Sequence, residues 1–356
     1  MRALFIVHGN TQIGMGHVMR SLSLAEKFRE RGHQVIFFSK YKSGSFVMKG
    51  RSFEVIECID SEESADIEKF SYGATEELIT DERVLAANIS GKFDVILVDS
   101  YNVTQDFFVW LKKYSKCLVY IDDLNAFSYP VDILINGTAA AFDMRYEETQ
   151  SARLLLGISY NLIRKEFQNL SCRKVNAEIK NVLITTGNSD PCDMIGKILE
   201  ILREKNIYQD FIFHIIVGSG FRQEKWGKLD ILTSSSVILH RSPSSMSEIM
   251  LKCDLAITAG GSTIYELAAC GVPIIAFAYA ENQIPQVMAM EREGLLQYIG
   301  MFNSIKWETL IEHIKYLNEN YEVRRKLTWK LQSLVDAKGT LRIVKVVESM
   351  CSLRNE

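Results

Sequence analysis

The chain has no long apolar run, no paired-cysteine motif and no excess of charge, and each absence removes a class of protein. No stretch approaches the roughly 18 consecutive apolar residues that a bilayer-spanning helix needs. The first eight residues, Met1 to His8, hold only the short apolar run Ala3 to Val7, less than a secretory signal uses, so a cytoplasmic location is expected. Seven cysteines (Cys58, Cys117, Cys172, Cys192, Cys253, Cys270 and Cys351) are scattered, odd in number and without a CxxC pair. That is the pattern of reduced thiols, and it leaves no zinc site. A net charge of -3 gives no reason to expect nucleic acid or an anionic membrane as partner. There is no repeat of 20–50 residues and no low-complexity tract.

What remains is a soluble globular composition, 47% hydrophobic and 24% charged, in 356 residues, which is long enough for two domains. Leu4 to Val7 reads as a first strand, followed by the loop Gly9 to Gly16. A helix from His17 to Arg31 comes next, with Val18, Leu22, Ala25 and Phe28 at helical spacing, and Gln34 to Ser39 is a second strand. Strand, helix and strand at this length make a βαβ unit and predict a parallel sheet. Between Tyr41 and Gly91 the pattern is weak: a strand at Phe53 to Ile56, an acidic run Asp60 to Glu68 read as a solvated face, and a helix around Thr80 to Ile89. Strands return at Phe93 to Val98, Cys117 to Ile121, Val131 to Ile135 and Arg153 to Leu156. A second series follows at Asn181 to Thr186, Phe211 to Val217, Ser236 to His240, Leu255 to Thr258, Ile274 to Phe277 and Leu295 to Ile299. Helices are expected at Asp193 to Lys205 and Ser245 to Lys252. Trp307 to Met350 is helical and divided at Gly339. The expectation is two doubly wound α/β domains, 1–158 and 180–340, joined by a linker at 159–179 and followed by a C-terminal helix at 341–356, with a cleft between the domains.

Six segments bear on chemistry. The most prominent runs from Thr258 through Gly260, Gly261, Ser262 and Thr263 to Pro273, between two strands. Adjacent glycines ahead of a helix leave bare backbone N–H groups at the positive end of its dipole, where an anion can sit. The plainer reading is a tight turn in which Thr263 and Glu266 form a capping box. In the first loop, Gly14 and Gly16 precede His17, and no third glycine follows to make a dinucleotide fingerprint. His17 stands on the first helical turn at the carboxyl end of the first strand, with Arg20 one turn on. The dipole there disfavours the imidazolium, so His17 is read either as a neutral proton acceptor or as a structural residue that orders the loop. Thr185 to Pro191, with Asn188 and Ser189, is a second turn able to face phosphate, or else a helix start capped by Asp190 with Pro191 in the first helical position. Asp99-Ser100-Tyr101 and Asp122-Asp123 end two strands. Adjacent aspartates point to opposite faces and are read as caps, with no metal site. Asn282 and Gln283 lie at the same sheet edge as the glycine turn.

Taken together these segments resemble the UDP-2,4-diacetamido-2,4,6-trideoxy-β-L-altropyranose hydrolases of pseudaminic acid biosynthesis and the related spore-coat polysaccharide proteins. The similarity is carried by IGMGHVMRSLSLAE (Ile13 to Glu26), VDSY (Val98 to Tyr101), IDDL (Ile121 to Leu124), LLLGISYNLIRKEF (Leu154 to Phe167), TTGNSDP (Thr185 to Pro191), AGGSTIYELAACGVP (Ala259 to Pro273), ENQ (Glu281 to Gln283) and DAKGTLRIV (Asp336 to Val344). The resemblance implies a GT-B fold, two Rossmann-like domains shared with the glycosyltransferase that makes lipid II, with the nucleotide on the C-terminal domain. It implies His17 as catalytic base and Tyr101, Asn282 and Gln283 near the sugar. Gly261, Ser262 and Thr263 would hold the diphosphate and Glu266 the ribose hydroxyls.

The function implied is inverting, metal-independent hydrolysis of a UDP-linked diacetamido-trideoxyhexose, with a UDP-sugar as the small-molecule partner, no cofactor and no membrane. A glycosyltransferase of the same fold, with an acceptor hydroxyl in place of water, is the alternative enzyme. Its sequence mark would be a membrane-docking patch, for which Phe107-Phe108-Val109-Trp110 is the one weak candidate. A non-catalytic nucleotide-sugar-binding protein is the third reading.

Overall fold

The computed structural model describes residues 1–10, 14–58, 75–89, 91–146, 152–218, 220–221 and 236–353. The chain divides into two compact units, Met1–Leu162 with Lys338–Glu356, and Ile163–Ala337.

The first unit is built on seven parallel strands: β1 (Arg2–Val7), β2 (Gln34–Ser39), β3 (Glu54–Glu57), β4 (Phe93–Asp99), β5 (Ser115–Ile121), β6 (Ile133–Asn136) and β7 (Arg153–Leu156). Their order in the sheet is β3-β2-β1-β4-β5-β6-β7. Central strands of such a sheet are covered on both faces, which is why they read as unbroken apolar runs. Alternate side chains enter opposite cores. Phe5 joins Phe28, Phe37 and Val95 on one face. Leu4 and Ile6 join Ile96, Phe108 and Tyr120 on the other.

The last helix, Gly339–Leu353, belongs to this first unit. Ile343, Val344, Val347 and Cys351, at helical spacing, are buried in the core that holds Phe5. Arg31 grips Glu348 through two 2.8 Å hydrogen bonds. The segment expected as a separate C-terminal helix at 341–356 therefore completes the N-terminal core. Gly339 allows the return, since a Cβ there would lie 2.1 Å from the backbone oxygen of Asn161.

The second unit holds β8 (Asn181–Thr185), β9 (Ile212–Val217), β10 (Val237–Arg241), β11 (Leu255–Ala259), β12 (Ile274–Ala278) and β13 (Gln297–Met301). All are parallel, in the order β10-β9-β8-β11-β12-β13. The strands expected from the sequence are all present, with ends moved by one or two residues. The helical C-terminal stretch breaks at Asn320 as well as before Gly339, into Trp307–Glu319, Tyr321–Leu334 and Gly339–Leu353. The acidic run Asp60 to Glu68 lies outside the described residues.

Both sheets reverse strand order once, between β1 and β4 and between β8 and β11. Loops that leave the carboxyl ends of strands flanking such a reversal form the usual ligand crevice of an open α/β sheet. In the first unit these loops lead to His17 and Tyr101. In the second they are the Thr186–Asp193 segment and the Gly260-Gly261 turn.

Candidate active site

In the first unit one carboxylate organises the site. Asp99, the last residue of β4, is fully buried, and three side chains donate to it. His17 Nδ1 is 2.6 Å from its Oδ1. Arg20 reaches it through Nε at 2.9 and 3.1 Å and through Nη2 at 2.5 Å. Ser21 Oγ donates to Oδ2 at 2.8 Å. Burial alone would push the Asp99 carboxyl up, but the Arg20 guanidinium and His17 outweigh it and hold it well below the usual carboxylate range. An ionised Asp99 assigns the His17 proton to Nδ1, so Nε2 carries the free lone pair. His17 is the second residue of the helix Gly16–Glu30, and its side chain is 12% exposed. Gly14 precedes it with φ +85, in a turn closed by a bridge to Asn10.

The two adjacent aspartates after β5 part company. Asp122 is buried and takes hydrogen bonds from the hydroxyls of Tyr129 (2.9 Å) and Tyr146 (2.5 Å) and from the backbone N–H groups of Leu124 and Asn125. It is a loop anchor. Asp123 turns the other way, accepting from Arg20 Nη1 at 3.0 Å and from the Tyr101 hydroxyl at 3.0 Å. Tyr101 meets the His17 ring edge-on, with centroids 4.5 Å apart. His17, Arg20, Asp99, Tyr101 and Asp123 are thus one hydrogen-bonded group. Arg20, one turn on from His17, commits its nitrogens to Asp99 and Asp123.

The second unit offers backbone where the first offers charge. Gly260 N donates to Phe277 O at 2.7 Å, and Gln286 Nε2 donates to Gly260 O at 2.6 Å. A Cβ at Gly260 would lie 2.4 Å from Val287 Cγ1, whereas one at Gly261 would meet nothing nearer than Gln283 Nε2 at 3.9 Å. The first is glycine for packing, and the second leaves open space. Ser262 is exposed and Thr263 half-buried at the start of the helix Thr263–Ala269.

The capping box is absent. Ser262 takes the cap position without a side-chain bond, and Glu266 instead receives the Arg164 fork, Nε at 2.8 Å and Nη2 at 2.9 Å. A half-buried guanidinium 102 residues upstream offers a stronger partner than a backbone N–H. Arg164 also pairs with Glu166 at 2.9 Å, and Glu166 accepts from Ser245 Oγ and Ser247 N.

The neighbouring loop differs from its sequence reading as well. The helix after β8 starts at Met194, not Pro191, and its N-cap residue is Asp193 in the left-handed region. Asp190 still caps it from outside, accepting from Met194 N (2.9 Å) and Ile195 N (3.0 Å), and it also receives the Tyr279 hydroxyl at 2.6 Å. Asn188 and Ser189 are half-buried, and Asn188 O accepts from Gly220 N at 3.1 Å. Gln283 Oε1 caps Tyr279 N at 3.0 Å from the turn Glu281–Gln283, beside half-buried Asn282.

Sequence reading gave no role to Asp99 beyond its place at a strand end, and it missed Arg164. Both belong to the similarity motifs, and each finds its partner across a long sequence gap. Phe107 and Phe108, the weak membrane candidate, are core residues. Among the described residues no helix is long and apolar enough to cross a membrane, and no group of three or more His, Cys, Asp or Glu is arranged to hold a metal.

The two units together define the class: a GT-B fold of two Rossmann-like parallel-sheet domains. Solved structures superpose on nearly the whole chain. Acinetobacter baumannii MurG covers 98% of it with TM-score 0.67 at 13% identity. A Staphylococcus aureus MnaA–UDP structure covers all of it with TM-score 0.64 at 14% identity.

No family model matches the chain. Its sequence relatives nevertheless bear out the resemblance read from the motifs. Spore coat polysaccharide biosynthesis protein SpsG of Bacillus subtilis is 24% identical over 96% of each chain. The Helicobacter pylori pseudaminic acid cytidylyltransferase and UDP-2,4-diacetamido-2,4,6-trideoxy-β-L-altropyranose hydrolase is 28% identical over 67% of this chain and 42% of its own length. An uncharacterised Methanocaldococcus jannaschii protein is 27% identical over 98% of this chain, which spans 66% of it.

Proposed function

We propose that the protein hydrolyses a UDP-linked 2,4-diacetamido-2,4,6-trideoxyhexose, releasing the free sugar with inversion at the anomeric carbon. The observation that supports this most is the His17–Asp99 pair at the switch point of the first sheet. The carboxylate holds the imidazole in one tautomer with Nε2 available, the arrangement a general base for water requires. The nucleoside diphosphate is a weak base and a good leaving group, so no general acid is needed if its charge is met. We assign that task to the second unit. The N–H groups of Gly261, Ser262 and Thr263 face the diphosphate, and Glu266, oriented by Arg164, accepts from the ribose hydroxyls. The similarity to the bifunctional Helicobacter pylori hydrolase supports the choice of sugar.

A second reading is kept because UDP-N-acetylglucosamine transferases of Helicobacter are also relatives, 25% identical over about two thirds of the chain. In that case an acceptor hydroxyl replaces water. The deciding experiment incubates the protein with a panel of UDP-diacetamido-trideoxyhexoses in water alone and follows sugar and UDP by NMR. Prompt release of inverted free sugar, unchanged by excess EDTA, is the expected result. Turnover only after an acceptor is added would replace hydrolase with transferase.

A further inference from the structure

We propose that Arg20 is a positioning residue whose fork holds Asp99 and Asp123 together and so fixes the His17 imidazole and the Tyr101 hydroxyl at once. The proposal deepens the reading of His17 as a base. It does not need that reading in order to be tested. The geometry is specific to guanidinium: Nε and Nη2 close on Asp99, while Nη1 reaches Asp123 at 3.0 Å. Asp99 then receives His17 Nδ1 beside Ser21 Oγ, and Asp123 receives the Tyr101 hydroxyl. An ammonium, one compact charge, cannot reproduce a planar fork shared between two carboxylates.

Charge makes the same point. The ionisable groups around the imidazole come from three elements: Arg20 on its own helix, Asp99 and Tyr101 at the end of β4, and Asp123 after β5. With both carboxylates ionised and Tyr101 neutral, these groups sum to -1 with Arg20 and -2 without it. Arg20 Nη2 also sits 3.1 Å from His17 Nδ1. That cation offsets one of the two negative charges beside the imidazole and keeps the Asp99 carboxylate seated against Nδ1.

The test is a long-range ¹H–¹⁵N imidazole spectrum of the whole protein, with His17 assigned by the loss of its signals in His17→Gln. Wild type at pH 8 should show the Nδ1–H tautomer. In Arg20→Met a mixture of the two neutral tautomers should replace the single Nδ1–H form. Arg20→Lys serves in its place if the methionine variant does not fold, and there too a mixture of tautomers is expected. An unchanged Nδ1–H signature of His17 in a folded variant would overturn the proposal.

Turnover gives a separate readout: kcat should fall about 100-fold, while UDP affinity holds. A kcat within threefold of wild type would equally overturn it. A wild-type protein that hydrolyses no UDP-sugar would remove the hydrolase reading and leave the spectra to decide the role of Arg20.

Discussion

The two switch points of this chain solve different problems with different materials. In the first unit the loops after β1, β4 and β5 gather two carboxylates, a guanidinium, an imidazole and a phenol, and these side chains are hydrogen-bonded to one another. In the second unit the loops after β8 and β11 present a glycine turn and the first turn of a helix, with Arg164 paired to Glu266 and Glu166 behind them. A side chain that must hold or move a proton needs a fixed tautomer and a fixed rotamer, which a saturated ionic network supplies. A surface that meets an anion needs exposed N–H groups and no Cβ in the way. The contrast predicts that perturbing the first unit changes rate and perturbing the second changes binding.

The largest effect should come from His17. His17→Ala, in a protein that still folds, is expected to lower kcat on the UDP-sugar by about 10²–10⁴-fold, with UDP affinity nearly unchanged. Turnover assays alongside calorimetric UDP titration check both halves. A loss confined to stability would return His17 to the loop-ordering role that its sequence position also allowed.

Next comes Glu266. Glu266→Ala leaves the half-buried Arg164 with Glu166 as its only carboxylate partner, and losing the charged fork costs about 1.5–3 kcal/mol. Urea unfolding should register this loss, and calorimetry should show weaker UDP binding as well. Full UDP affinity in the variant would mean that Glu266 only anchors Arg164.

The strands and the two switch points were legible in the sequence because they depend on local pattern: apolar runs of strand length, glycines at their ends, and helical spacing after them. His17 was visible for the same reason, standing one residue into a helix behind Gly14 and Gly16. Its partner was not. Asp99 lies 82 residues on, and only the placing of β4 beside β1 brings the two together. The same limit explains Glu266. From Thr263 and Glu266 alone a capping box is the natural reading, and an arginine 102 residues away overrides it. The last helix shows the limit at the scale of a domain: its apolar spacing was plain, but nothing local says that its core is the first one.

A smaller effect separates the two glycines of the turn. Gly260→Ala forces a methyl group to within 2.4 Å of Val287 Cγ1, and overpacking of this kind costs about 1–3 kcal/mol of stability. Gly261→Ala meets open space and should leave the melting temperature unchanged. If diphosphate lies against this turn, the second substitution should nonetheless weaken UDP binding measurably, since its methyl group occupies the approach to the N–H groups. Equal UDP affinity in wild type and Gly261→Ala would move the anion elsewhere.

The smallest effect is one of slope, and it compares the two arginine-held carboxylates directly. Asp99 is lowered, because Arg20 and His17 outweigh its burial, whereas Glu266 is raised, because burial outweighs Arg164. A lowered carboxyl contributes stability that is fully present above the unfolded value, about 3.9 for aspartate, and is lost as pH falls from there through the folded value. A raised carboxyl does the reverse. Its contribution is present below the unfolded value, about 4.3 for glutamate, and is lost as pH rises through the folded one. The stability of wild type relative to Asp99→Asn should therefore shrink on acidification below about pH 4. Relative to Glu266→Gln it should grow as pH falls through the range just above pH 4.3. Urea unfolding at half-unit steps from pH 3 to 7 measures both differences. Parallel slopes would mean that the two arginine–carboxylate pairs balance burial in the same way, and the division between a charge-built first unit and a backbone-built second unit would fail at its most direct point of comparison.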